Sequence, residues 1–111
     1  DTIDGTWVRD YIHVMDLVEG HILALKNKKK GLKIYNLGTG KGTSVLELVN
    51  MFSKINNVKV NYKIVDRRPG DIASCYASSE KANKELGFTC KYTLEDMCKD
   101  SYNFVKKNSN L

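Results

Sequence analysis

Three times along this chain a hydroxyl or carboxyl side chain stands three residues before an acid, where a helical apolar pattern begins. The pairs are Asp16 with Glu19, Ser44 with Glu47, and Thr93 with Asp96. Each reads as a capping box: the first side chain takes a backbone N–H of the new helix, and the acid reaches back to the cap. The first of these helices carries Leu17, Ile22 and Leu25 on one face and stops near residues 26–30, with Gly31 as the break. The second places Val45, Leu48, Val49 and Phe52 at helical spacing, and the third runs over 93–107. A further helix is expected from Ser79 to Gly87. Between them, β-branched and aromatic runs predict strands over 8–14, 33–37 and 58–65, with a short extended segment at 72–77. Strands alternating with helices place the chain in the α/β class.

Three strands do not complete a doubly wound sheet, and the sequence leads straight into a strand with no initiator methionine. The expectation is one domain, 1–111, belonging to a longer polypeptide. At 111 residues the chain can bury roughly two-thirds of its unfolded surface. Its net charge of +5 favours anionic partners, but the basic residues are dispersed; the run Lys28-Lys29-Lys30 reads as a solvated turn. Cys75, Cys90 and Cys98 lack metal-ligand spacing and cannot all pair, which fits a reducing, cytoplasmic setting. The sequence shows no signal peptide and no apolar run of membrane-spanning length.

Two arginine-bearing segments are chemically suggestive. Arg9 lies in the extended run just before the first helix, and Arg68 lies in the turn Arg67-Arg68-Pro69-Gly70-Asp71. A guanidinium donates two parallel hydrogen bonds to a phosphate, so the pair reads as a clamp for a diphosphate, with Asp71 beside it for a sugar hydroxyl. Each arginine can instead be a solvated surface group, and Pro69-Gly70 explains the turn without any ligand. The loop Gly38-Thr39-Gly40-Lys41-Gly42 sits at a strand-to-helix turn, where backbone N–H groups can hold an anion. It matches neither the P-loop nor the dinucleotide fingerprint and reads more simply as a tight turn. His13 is expected to pack on the first strand and His21 to sit on a helix surface; Tyr11, Tyr35 and Tyr62 read as half-buried strand residues. No nucleophile with an adjacent base is evident, and two histidines are too few for a metal site.

The blocks Gly5-Thr6-x-Val8-Arg9-Asp10-Tyr11-Ile12-His13-Val14-x-Asp16-Leu17, Ile34-Tyr35-Asn36-Leu37-Gly38-Thr39-Gly40 with Ser44-Val45-Leu46-Glu47, and Arg67-Arg68-Pro69-Gly70-Asp71 resemble the UDP-glucose 4-epimerases. Lys81-Ala82 and Glu85-Leu86-Gly87 continue the match. These are extended short-chain dehydrogenase/reductases, and the resemblance is to their C-terminal third, the substrate-binding part. It implies that NAD and the catalytic tyrosine belong to an N-terminal Rossmann domain whose motifs are not in this sequence. It implies a full-length homodimer acting on UDP-sugars, with this part gripping the UDP while a 4-keto hexose turns over. By motif position, Arg9 and Arg68 look like diphosphate ligands and Asp71 like the acceptor for ribose hydroxyls, while Tyr11 and Val45 look like residues lining the nucleotide. Cys75 falls beside the sugar, where the family carries either a tyrosine or a small residue, so a 2-acetamido group should fit. A UDP-glucuronate epimerase or decarboxylase is the alternative within the superfamily. Outside it, the charge alone suggests a non-catalytic anion- or nucleic-acid-binding module, against which the dispersed lysines speak.

Overall fold

The computed structural model describes residues 2–109. Its order is β1 (Val8–Arg9), α1 (Val14–Lys26), β2 (Thr43–Ser44), α2 (Val45–Asn56), β3 (Ser74–Cys75), α3 (Glu80–Leu86) and α4 (Leu94–Lys107). The class is α/β, as the alternation predicts, but the strands are short. The three form one sheet in the order β2-β1-β3. β1 is central, antiparallel to β2 with Val8 opposite Ser44, and parallel to β3 with Arg9 opposite Cys75. The expected strand over 8–14 thus shrinks to two residues, and residues 33–37 and 58–65 join no ladder at all. Their β propensity is real, but a strand also needs a neighbour to take its N–H and C=O groups.

Two of the three predicted capping boxes form. Ser44 Oγ accepts from Glu47 N at 3.1 Å while Glu47 Oε1 accepts from Ser44 N at 3.1 Å. Thr93 and Asp96 make the same reciprocal pair at the head of α4. The box predicted at Asp16 does not form. α1 starts earlier, capped by His13, whose Nδ1 accepts from Met15 N at 3.0 Å. Asp16 is buried instead, and its carboxylate accepts from Lys91 N at 3.0 Å and Tyr92 N at 3.1 Å. It therefore fastens the approach to α4 onto α1, an assignment that no local pattern could reveal. His13 is buried, as expected, but at a helix cap and not on a strand. Its Nε2 lies 2.8 Å from Asp100 Oδ2, and its ring stacks on Tyr92 with centroids 4.2 Å apart. Because Nδ1 accepts an amide, the ring proton belongs on Nε2 and is donated to Asp100. His21 is on the helix surface, as expected.

The core is small. Ala82, Leu86 and Phe88 are buried together, with Ile12, Leu23, Tyr35, Leu37 and Cys90 packed against them. Burying Phe88 contributes about 1.5–3 kcal/mol. α2 packs on α4 and α1 on α3. The radius of gyration is 16.6 Å, against about 13 Å for a closely packed chain of this length. The molecule is a slab, 49 × 37 × 23 Å, with large apolar side chains at its surface, among them Val14, Val18, Ile22 and Leu25 along α1. No helix among the described residues is long and apolar enough to cross a membrane.

Candidate functional site

The head of α2 is built by two segments at once. Thr6 Oγ1 accepts from Leu46 N at 3.1 Å, and Ser44 Oγ donates to Asp4 Oδ2 at 2.5 Å. The Ser44 bond and then the Thr6 bonds hold the Asp4 carboxyl below its ordinary value. Trp7 O accepts from Val45 N at 3.0 Å, and Val8 N donates to Ala73 O at 2.8 Å. Residues 4–8 are thus fixed between the start of α2 and the segment entering β3. This brings three of the sequence-predicted residues to one sheet: Arg9 on the central strand, Val45 immediately after β2, and Cys75 as Arg9's ladder partner. Arg9 is half-buried and folds back so that Nη1 donates to Val8 O at 2.8 Å.

Arg68 and Asp71 are also joined. Arg68 Nε lies 2.8 Å from Asp71 Oδ2, with Arg68 exposed and Asp71 half-buried. The turn closes by a weak Asp71 N to Arg68 O bond at 3.4 Å, and Gly70 takes the left-handed φ of +86° that the third position of such a turn requires. Residues 61–70 are exposed throughout, so Tyr62 is 58% exposed, against the half-buried expectation. A cleft of about 420 Å³ runs between this segment and the head of α2; Trp7, Val45, Tyr62, Arg67 and Arg68 line it. Tyr11 lies elsewhere, on a larger cavity of about 810 Å³ with Met15, Phe52 and Phe104. Arg9, Asp71 and Cys75 line neither cavity. Cys75 is exposed.

The glycine loop resolves differently from the arginine turn. Its anion is internal: Asp10 Oδ1 accepts from Thr39 N at 3.0 Å and Thr39 Oγ1 at 2.6 Å, and Oδ2 accepts from Gly40 N at 2.9 Å and Ala77 N at 3.2 Å. Gly38 is required there, because a Cβ would lie 2.6 Å from Asp10 Oδ2 and 2.8 Å from Ala77 Cβ. Desolvation pushes the Asp10 carboxyl up, but the Thr39, Gly40 and Ala77 bonds outweigh it and leave it below its ordinary value. With the Thr39 and Gly40 amides taken, the loop does not fit the pyrophosphate of a dinucleotide. Sequence reasoning passed over Asp10, whose partners lie 29 to 67 residues away. It also passed over the contact of Arg67 with Trp7, 4.9 Å from guanidinium carbon to ring centroid. Among the described residues, no group of three or more His, Cys, Asp or Glu could hold a metal ion.

Residues 3–101 match the family model described as GDP-mannose 4,6 dehydratase. The UDP-glucose 4-epimerase of Pasteurella multocida (strain Pm70) is 54% identical over 110 residues, covering 97% of this chain and 32% of that protein. The bifunctional UDP-glucose 4-epimerase and UDP-xylose 4-epimerase 3 of Arabidopsis thaliana is 51% identical over 111 residues, covering 96% of this chain and 32% of that protein. The crystal structure of UDP-glucose 4-epimerase from Bifidobacterium longum in complex with NAD+ and UDP superposes with a TM-score of 0.93 at 50% identity, covering 99% of this chain and 33% of that one. The chain spans about a third of the length of these relatives.

Proposed function

The chain belongs to the GDP-mannose 4,6-dehydratase family, and from that premise we propose that it is the UDP-sugar-binding part of a UDP-glucose 4-epimerase interconverting UDP-galactose and UDP-glucose. One observation carries the reading. A single three-stranded sheet seats Arg9 at its centre, with Val45 leading off one neighbour and Cys75 on the other, and the arginine turn enters the third strand.

In this reading Arg9 and Arg68 grip the diphosphate. Arg68 spends Nε on Asp71 and keeps its two Nη groups for phosphate oxygens. Asp71 Oδ1 is left to accept from ribose hydroxyls. Val45 lines the nucleotide from the head of α2; motif position alone makes Tyr11 a second lining residue, since its side chain lies on the larger cavity. Charge fixed at the diphosphate end leaves the hexose free to present either face. NAD would be held by the remainder of the full-length polypeptide, together with most of a homodimer contact, and would supply reversible hydride acceptance at C4. Three free cysteines agree with a cytoplasmic setting.

Cys75 sets the sugar range. Beside Arg9 and exposed, a thiol leaves room where a phenol ring would stand, so a 2-acetamido group is admitted and UDP-N-acetylgalactosamine is a substrate too. The test uses the full-length polypeptide, with UDP-galactose and UDP-N-acetylgalactosamine supplied separately and the C4 epimers followed by proton NMR. Both are expected to turn over, and Cys75→Tyr is expected to abolish only the second. Turnover of UDP-galactose alone in the unmodified protein sinks the pocket-size argument. Failure of both, with turnover of a UDP-glucuronate, moves the chain to the neighbouring enzyme class.

A further inference from the structure

Trp7, a residue with no assigned role, lies close in the chain or through its backbone to three of the proposed ligand-binding residues. Trp7 directly precedes β1, so it is two residues from Arg9. Its carbonyl takes the Val45 amide at 3.0 Å. Its ring lies under the guanidinium of Arg67 at 4.9 Å, and Arg67 is covalently adjacent to Arg68. The ring and both arginines line the same cleft of about 420 Å³. Residues 61–70 are exposed and join no ladder among the described residues, so no sheet register sets where Arg68 sits.

We propose that Trp7 and Arg67 form a positioning pair: the ring holds the arginine turn at the height of the central strand and thereby sets the spacing of Arg68 from Arg9. This rests on the diphosphate clamp proposed above. A planar cation over an indole face is the strongest of the cation–π pairings, and here it ties an otherwise unladdered segment to the most constrained strand of the sheet. The pair touches no reacting atom. Its effect lies in how much entropy the turn loses when phosphate arrives, because a turn already held in place loses less on binding.

The test measures UDP affinity by calorimetry, and KM and kcat for UDP-galactose, in the full-length polypeptide. Trp7→Leu and Arg67→Gln are each expected to raise Kd and KM about five- to thirty-fold with kcat nearly unchanged. The double variant is expected to be no worse than the worse single, and Trp7→Phe and Arg67→Lys to keep most of the affinity. Misfolding of Trp7→Leu lowers apparent kcat through the active fraction and leaves KM alone, and Arg67→Gln changes an exposed side chain, so the KM readout separates positioning from stability. The proposal is overturned if the single effects add in the double variant. It is overturned equally if neither variant moves KM while Arg9→Ala and Arg68→Ala do. If Arg68→Ala also leaves UDP affinity unchanged, the clamp itself falls and this inference with it.

Discussion

The glycine loop at residues 38–42 and the arginine turn at 67–71 are made of similar material, a glycine-bearing turn with a charged side chain near it, and they face opposite ways. In the first, the charge is supplied from inside: the Asp10 carboxylate collects the Thr39, Gly40 and Ala77 amides. In the second, two exposed arginines stand with one half-buried acid, and the bond between Arg68 and Asp71 runs through Nε. The first turn is satisfied from within the fold, whereas the second leaves the Arg68 Nη groups toward water, where the proposed phosphate would reach them. The difference lies in which partner arrives from a distant part of the chain, and glycine count carries no information about it.

The contrast breaks most visibly at Asp10. Asp10→Ala strands the Thr39, Gly40 and Ala77 amides and should cost on the order of 3–4 kcal/mol of stability, read as a lowered urea midpoint. The same residue gives a pH signature. Its folded pKa lies below the unfolded value of about 3.9, so its contribution is complete above that value and is lost as pH falls through the folded one. Asp10→Asn should therefore flatten the fall in stability on acidification. Arg68→Ala should do the reverse of Asp10→Ala: a loss of about 1.5–3 kcal/mol in UDP affinity by calorimetry, with stability changed by less than about 0.5 kcal/mol. If Arg68→Ala unfolds the protein, or Asp10→Ala spares it, the two turns are not of different kinds. Smaller still, Thr39→Val removes one hydroxyl bond to Asp10 and should cost about 1 kcal/mol in the same denaturation series.

What the sequence disclosed follows from range. The starts of α2 and α4 were legible because a capping box is closed within four residues, and both formed as read. The start of α1 was misplaced because an imidazole acceptor does the capping, while the carboxylate that looked like the cap was claimed by amides 75 and 76 residues away. Residues 33–37 and 58–65 have strand composition but no ladder, because propensity is local and pairing is not. At the candidate site, chemistry alone left the arginines open between clamp and surface group; the family resemblance singled out Arg9, Arg68 and Asp71. Asp10 and Trp7 were not legible, since nothing nearby in sequence shows that either reaches residues some 30 to 70 positions on.

The sheet order has a consequence for synthesis. The central strand, Val8–Arg9, precedes both of its neighbours, Thr43–Ser44 and Ser74–Cys75, in the chain. During translation the antiparallel edge can close once Thr43–Ser44 has emerged, but the parallel edge must wait for Ser74–Cys75. The arginine turn lies between those two events. Docking of β3 is the step that closes the loop carrying Arg68, so the event that completes the sheet is also the one that fixes where the arginine turn ends.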